Sequence, residues 1–566
     1  MSVTPSVSVE AGAPPAGRRV AIVTLGCGRN EVDSDQLAGL FHRHGAEVVD
    51  DADDAEVVLV NTCTFIAPAK QESIDTVLAA CQLKDEADAR AVVVVGCMAQ
   101  RYPDELADAI PEADAVVGFE GYNTLPGLVD DILAGRPHDR VTGIAPPADA
   151  AAASRPSLPL LVQPPGATDT DGEPGGAHTA DRAHAAGRAD AAPDDAESTG
   201  GTPSTAALAM ELDVTELPPT TPRPDEPVLT GQDALDRMPA TGPRFPLRRF
   251  GAGPGPAPSW AYLKIASGCD RACTFCAIPS FRGRFRSRPV DELVAEGRWL
   301  VEQGARELVL VSENTTSWGK DLPCGRDGQP DMLRQLAAID GLERLRLMYL
   351  QPAELTTALL ETIAGEEKVA SYFDLSLQHV SGPVVRRMAR SGDAERFAAL
   401  IERIRALDPD AVFRSNFILG FPGETDADVA ELEQFLESQR LDWVGLFTFS
   451  PEDGTPSYDL PDQVPAEVAE ERRARVSELQ ERLADESARR FVGRRLDVTV
   501  EERLDLDGEV VTVARSYREA PDTDGEVQLV TPDGDPADLP VGRTVTATVT
   551  DAVGVDLVAV PDGPRG

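Results

Sequence analysis

Near its start this chain carries four short apolar runs, broken only by Thr24, and the first three each end within three residues of a cysteine. The runs are residues 20–25, 57–60, 91–95 and 115–117, and the cysteines are Cys27, Cys63 and Cys97. Strands that are apolar throughout, rather than alternating, suit a parallel sheet covered by helices on both faces. In such sheets ligands bind beyond the carboxyl ends of the strands. The pattern predicts an α/β domain over residues 18–136 with all three thiols on one edge, although over thirty residues separate them in sequence.

A second cysteine set is compact: Cys269-Asp-Arg-Ala-Cys273-Thr-Phe-Cys276, directly after another apolar stretch. Three closely spaced thiolates can hold a 4Fe-4S cluster while one iron keeps no protein ligand. An iron left open in this way can chelate a small molecule and pass it an electron. The competing readings are a structural zinc ion and an ordinary electron-transfer cluster. Zinc takes four ligands, usually as CxxC pairs at two loci, and no second pair follows here. Taken singly, Cys27, Cys63 and Cys97 read as buried apolar cysteines; their shared position after successive strands favours a second open cluster. Cys81 and Cys324 belong to neither set.

From Trp260 onward, strand patterns at residues 260–265, 307–311, 345–349, 372–377, 412–418 and 445–449 alternate with helical ones. Six β/α units predict a partial barrel within residues 258–492, with its chemistry at the strand carboxyl ends. The residues just beyond those strands are Ser312-Glu313-Asn314, Gln351-Pro352, Gln378-His379, Gly420-Phe-Pro-Gly-Glu424 and Ser450-Pro451. A charged helical pattern at 465–490 follows, and alternation from Leu496 predicts a small β-barrel over residues 493–562. Residues 1–17 and the Ala-, Pro-, Gly- and Asp-rich stretch 137–257 read as disordered, with short apolar pieces at 158–162 and 206–212. Closure entropy grows only logarithmically, so an insertion of that length is tolerated.

Two further features admit two readings each. Arg282, Arg284, Arg286 and Arg288 form an alternating basic run beside the compact cysteine set, either a carboxylate clamp or a solvated face. The stretch Asn416 to Glu424 is a strand ending in a Gly-rich turn that can bring backbone close to a ligand. His379 reads as a structural histidine rather than a catalytic one. The net charge of −43 disfavours nucleic acid and favours a basic protein partner. The first thirty residues show no signal peptide, no apolar run approaches the ~20 residues of a membrane helix, and cysteine is too sparse for a disulfide scaffold. These features predict a cytoplasmic protein with reduced thiols.

The compact cysteine set after the first strand of a partial barrel resembles the radical S-adenosylmethionine superfamily. Thr24-Leu-Gly-Cys27-Gly-Arg-Asn-Glu-Val-Asp-Ser34, Val60-Asn-Thr-Cys63-Thr-Phe-Ile66 and Gly96-Cys97-Met-Ala-Gln-Arg-Tyr102 resemble the N-terminal signatures of its methylthiotransferases. Cys276-Ala-Ile-Pro-Ser-Phe-Arg-Gly283, Arg286-Ser-Arg-Pro289, Met388-Ala-Arg390 and Phe449-Ser-Pro-Glu-Asp-Gly-Thr455 are similar to the branch that modifies a ribosomal protein, the RimO type. The sequence departs from that pattern at Gly28-Arg29, where Pro-Lys is usual, at Ser267, where Glu is usual, and at Glu313-Asn314, where Gln-Asp is usual.

The resemblance implies two 4Fe-4S clusters and S-adenosylmethionine as cofactors. Cys269, Cys273 and Cys276 would hold the cluster whose free iron binds S-adenosylmethionine, which electron transfer cleaves to a 5′-deoxyadenosyl radical. Cys27, Cys63 and Cys97 would hold an auxiliary cluster carrying the sulfur to be methylated and transferred. The implied substrate is the β-carbon of an aspartate in small-subunit ribosomal protein twelve, free or in the subunit, and the implied electron donor is a flavodoxin or ferredoxin. The C-terminal barrel resembles a TRAM domain, which in the rival tRNA-modifying branch is expected to be basic. Residues 494–566 hold 16 Asp and Glu against 7 Arg and no Lys, a net of −9. Phosphate binding rests on Lys and Arg, so this domain fits a basic protein better than tRNA, and direct nucleic-acid binding is not expected. Rivals from other classes are a non-catalytic electron carrier and a ribosome-assembly factor with structural clusters.

Overall fold

The computed structural model describes residues 18–144, 258–506 and 509–562. Strand β1 (Arg19–Thr24) lies beside β2 (Glu47–Val49) and β3 (Val57–Thr62), followed across the sheet by β4 (Ala91–Val95), β5 (Ala115–Val117) and β6 (Val141–Thr142). The order is β2-β1-β3-β4-β5-β6 and every pairing is parallel. β3 and β4 are buried along their whole length, the burial on both faces that their apolar runs, residues 57–60 and 91–95, require. The sheet runs past the expected boundary at residue 136, because β6 pairs Val141 with Val116. Strands of two or three residues are too short to show a period, which is why β2 and β6 were invisible in the sequence. The expected disorder of 1–17 and most of 137–257, with the apolar pieces at 158–162 and 206–212, falls outside the described residues.

The central part contains the six expected parallel strands as two three-stranded sheets. β7 (Trp260–Lys264), β10 (Glu307–Val311) and β11 (Arg344–Leu347) form one; β12 (Tyr372–Gln378), β13 (Val412–Leu419) and β14 (Trp443–Thr448) form the other. Parallel bridges Leu345–Val369 and Leu350–Leu375 join them. Alternate residues pack outward against the helices, as Leu308, Leu310, Phe373, Leu375, Phe413 and Phe417 do in one large core. An element absent from the sequence reading is the short antiparallel ribbon of β8 (Ala266–Ser267) and β9 (Arg286–Ser287). It closes the loop that carries Cys269, Cys273 and Cys276. Gly268, at φ +80°, makes the turn into that loop, and a Cβ there would stand 2.1 Å from the Arg284 carbonyl oxygen.

Strands β15 (Arg495–Leu506), β16 (Glu509–Arg515), β17 (Val527–Leu529), β18 (Thr544–Val553) and β19 (Asp556–Pro561) close a barrel in the order β15-β16-β17-β19-β18. Its core is continuous with the inward residues Tyr262, Val309, Val311, Tyr372 and Trp443 of the larger barrel. Buried ion pairs cross the same boundary. Glu307 accepts from Arg346 at 2.7 Å and pairs with Arg515 at 3.1 Å. The small barrel is therefore packed onto the larger one, not tethered beside it. Among the described residues no helix is long and apolar enough to cross a membrane.

Candidate functional site between two cysteine sets

Cys27 is the N-cap of helix α1 (Gly28–Arg43), directly after β1. Cys63 follows β3 and precedes helix α2 (Ala67–Glu86), and Cys97 stands in the first turn of helix α3 (Gly96–Arg101) after β4. A Cβ on Gly26 would meet Cys63 Sγ at 2.9 Å, so Cys63 rests against the loop carrying Cys27. The charges of Cys27, Cys63 and Cys97 oppose one another, as do those of Cys269, Cys273 and Cys276. Each trio is thus gathered in space. Cys81 is buried elsewhere and Cys324 is exposed.

The thiols differ in how readily they ionise. Burial pushes Cys63 and Cys269 up to about 11 and Cys276 up to about 12. Burial also raises Cys97. For Cys27 burial is outweighed by the Arg29 and Arg282 charges and by backbone N–H groups of Asn30 and Arg29, and the thiol is lowered. A thiol at a helix N-terminus beside arginines ionises more readily than a free one.

Among the described residues no three His, Cys, Asp or Glu side chains converge as ligands of one metal ion do. A 4Fe-4S cluster asks for something different, with each thiolate on its own iron. Spread trios of buried and half-buried thiols with cationic partners fit that donor arrangement better than a zinc ion.

Two of those partners, Arg282 toward Cys97 and Arg29 toward Cys276, reach across from the opposite domain. Arg282, only 5% exposed in its side chain, donates Nη2 to Cys97 Sγ at 3.1 Å and to Asn30 Oδ1 at 2.9 Å. Its Nη1 donates to Asp33 Oδ2 at 2.9 Å, while Lys264 donates to the other oxygen of Asp33 at 2.8 Å. The Phe119 ring lies 4.3 Å from its guanidinium carbon. Arg29 donates to the Ser312 carbonyl and lies over the Tyr349 ring, and its charge reaches both Cys27 and Cys276. Between Arg29 and Arg282 sits Glu313, 1% exposed, at 3.8 and 4.0 Å from them. Neither of its carboxylate oxygens accepts a hydrogen bond.

Near the compact set Arg390 donates to Cys273 Sγ at 3.4 Å and to Gln351 Oε1 at 2.7 Å. Glu354 accepts from Arg271, Asn314 and Ser317 at 2.6, 3.0 and 2.6 Å, fixing the neighbouring loops. A buried latch holds the two halves together: Glu452 accepts from Lys70 at 3.0 Å and from Arg101 at 2.8 Å, and all three side chains are at most 5% exposed.

The basic run divides between its two readings. Arg282 and Arg288 turn inward, Arg288 to Glu296 at 2.7 Å and the Lys264 carbonyl, whereas Arg284 and Arg286 are exposed. His379 is fully buried; its Nδ1 accepts from the Ser381 backbone and its Nε2 lies 3.5 Å from Glu424, as a structural histidine does. Asn416 leaves its side-chain oxygen buried without a partner, close to Gly445. The sequence reading missed Asn30, Asp33, Tyr349 and Glu452 as site residues. Arg29 and Glu313 had a signal, since both stand where the family pattern carries another residue.

Three family models match this chain: Uncharacterized protein family UPF0004 over residues 19–118, the Radical SAM superfamily over 263–436 and the TRAM domain over 492–561. A protein of Kineococcus radiotolerans named ribosomal protein uS12 methylthiotransferase RimO is 45% identical over 546 residues, covering 96% of this chain and 97% of that protein. Proteins of the same name from Salinispora arenicola and Streptomyces coelicolor are each 45% identical, covering 98% and 97% of this chain and 98% and 97% of theirs. Among solved structures, the radical S-adenosylmethionine methyltransferase TsrM from Kitasatospora setae, with cobalamin and a [4Fe-4S] cluster bound, superposes at a TM-score of 0.46. That match has 15% identity and covers 85% of this chain and 76% of that one; so loose a fit adds nothing to the assignment. By its full-length relatives and the order of its three matched segments, the chain belongs to the RimO-type methylthiotransferases, a family of radical S-adenosylmethionine enzymes.

Proposed function

We propose that this chain adds a methylthio group to the β-carbon of an aspartate in small-subunit ribosomal protein twelve. In this reading Cys269, Cys273 and Cys276 hold the 4Fe-4S cluster that binds S-adenosylmethionine, and Cys27, Cys63 and Cys97 hold the auxiliary one. When bound, the clusters supply the electron that cleaves S-adenosylmethionine and the sulfur that is transferred. The observation that supports the reading is the approach of the two cysteine sets, with Arg282 of one domain on Cys97 of the other and the Arg29 charge acting on both Cys27 and Cys276.

The protein's own residues have definite tasks in that scheme. Arg29 and Arg282 offset the negative charge that three thiolates bring into a buried site. Asp33 fixes Arg282, and Lys264 fixes Asp33. The Glu452 latch holds the N-terminal sheet against the barrel, as a group transfer between two fixed centres requires.

The tRNA-modifying alternative needs a cationic C-terminal barrel. Here Arg515 and Arg518 are buried in internal ion pairs, and Arg494, Arg495 and Arg503 each pair with an aspartate. Little positive surface is left for phosphates, which supports a protein substrate without direct nucleic-acid binding. A flavodoxin or ferredoxin remains the proposed electron donor. The test is to delete the gene in its host and measure the mass of ribosomal protein twelve alongside the tRNA nucleosides. Loss of one methylthio group from the protein, with tRNA unchanged, is the expected result. A missing tRNA methylthio group with the protein unchanged refutes the proposal.

A further inference from the structure

The contact between Arg282 and Cys97 joins residues 185 positions apart and crosses from the barrel to the N-terminal sheet. Its geometry is built rather than incidental. The guanidinium fork is spent on Asp33, Asn30 and the sulfur at once, one nitrogen on the carboxylate and the other on amide oxygen and sulfur. Phe119 closes one face of the fork, and Asp33 is anchored from below by Lys264. Both Arg282 and Cys97 are at most 8% exposed, so water does not compete for the sulfur. Arg282 also follows Cys276 by only six residues, on the short helix Ile278–Arg282.

We propose that Arg282 is a positioning residue that sets the reduction potential of the auxiliary cluster by donating an N–H···S hydrogen bond to its ligand Cys97. The inference rests on the reading of Cys27, Cys63 and Cys97 as cluster ligands. Hydrogen bonds to cluster sulfurs and local charge are among the protein's means of setting cluster potential. A donor withdraws electron density from the thiolate and stabilises the more negative, reduced cluster. A cation held at the sulfur in a buried site acts in the same direction. Because the donor is carried by the loop of the compact cysteine set, the auxiliary cluster takes its full potential only when the barrel is docked.

The test uses the full-length chain with Cys269, Cys273 and Cys276 replaced by Ala, so that only the auxiliary cluster loads. Iron content and an electron paramagnetic resonance redox titration are measured with Arg282, Arg282→Met and Arg282→Lys. The Met variant is expected to titrate at a more negative potential. Lys keeps the charge but not the fork, so it is expected to fall part of the way. A Met chain that carries a full cluster and titrates at the Arg282 value overturns the proposal. If the Met chain loads no iron, the Lys chain decides by the same criterion, an unchanged potential overturning the proposal. Should the Arg282 chain itself load no cluster, the reading of the three cysteines as ligands fails instead, and the proposal with it.

Discussion

Replacing Glu452 by Ala tests whether the N-terminal sheet is held against the barrel by a buried charge latch. The carboxylate accepts from Lys70 at 3.0 Å, Arg101 at 2.8 Å and Ser450 at 2.8 Å, and its side chain is 2% exposed. Two of these are charge-assisted bonds worth about 1.5–3 kcal/mol each, and removing one partner of a buried pair costs about 3–5 kcal/mol because the remaining charge is stranded. The two routes overlap at roughly 3–5 kcal/mol. Cys97 is 8% exposed and faces Arg282 of the barrel, so its labelling by a thiol reagent reports separation of the two halves. At ~1.4 kcal/mol per decade, the Ala variant of the cluster-free chain should label Cys97 about a hundredfold to a few thousandfold faster. All four tryptophans, Trp260, Trp299, Trp318 and Trp443, lie outside the N-terminal sheet, so their fluorescence shows whether the barrel stays folded during labelling. Acceleration of less than about fivefold, equivalent to ~1 kcal/mol, would refute the latch.

Three other outcomes follow from the same structure. Cys273→Ala and Cys97→Ala should each lower iron content from two clusters to one, measured by iron and sulfide assay; two clusters retained in either variant removes that cysteine from the ligand set. Gly268→Ala places a Cβ 2.1 Å from the Arg284 carbonyl at φ +80°, and by distorting the ribbon it should abolish loading of the compact set while the auxiliary cluster remains, as read by spectroscopy. Glu307 is held down at about 2 because Arg346, Arg515 and Arg344 outweigh its burial. A depressed carboxyl stabilises the fold above its ordinary value of 4.5 and loses that contribution as pH falls through about 2. The difference is roughly 3 kcal/mol. Urea midpoints should therefore drop between pH 4.5 and 2 in the native chain and depend less on pH in Glu307→Gln; parallel profiles would contradict the assignment.

Much of the fold was legible because local pattern and global structure agree. Unbroken runs such as Ala91–Val95 are buried on both faces, and each cysteine set lies where a strand ends. The ribbon of Ala266–Ser267 with Arg286–Ser287 and the strand Val141–Thr142 were not legible, since two residues carry no period. Among charged residues the sequence was least informative. Arg282 and Arg286 sit in the same alternating run, yet one is buried on Cys97 and the other is exposed.

The sequence by itself determined the reaction family and the strand ends that carry the six cysteines proposed as cluster ligands, because thiol spacing and apolar runs are local properties. Tertiary structure alone decided what faces the two cysteine sets. Arg29 meets Glu313, Arg282 meets Cys97, and Lys70 and Arg101 meet Glu452 across separations of 185 to 382 residues where hydrogen bonds join them. A charged side chain reads alike in sequence whether it ends in water or in a buried pair. Only the packing of one domain on another removes the water and makes the partner matter.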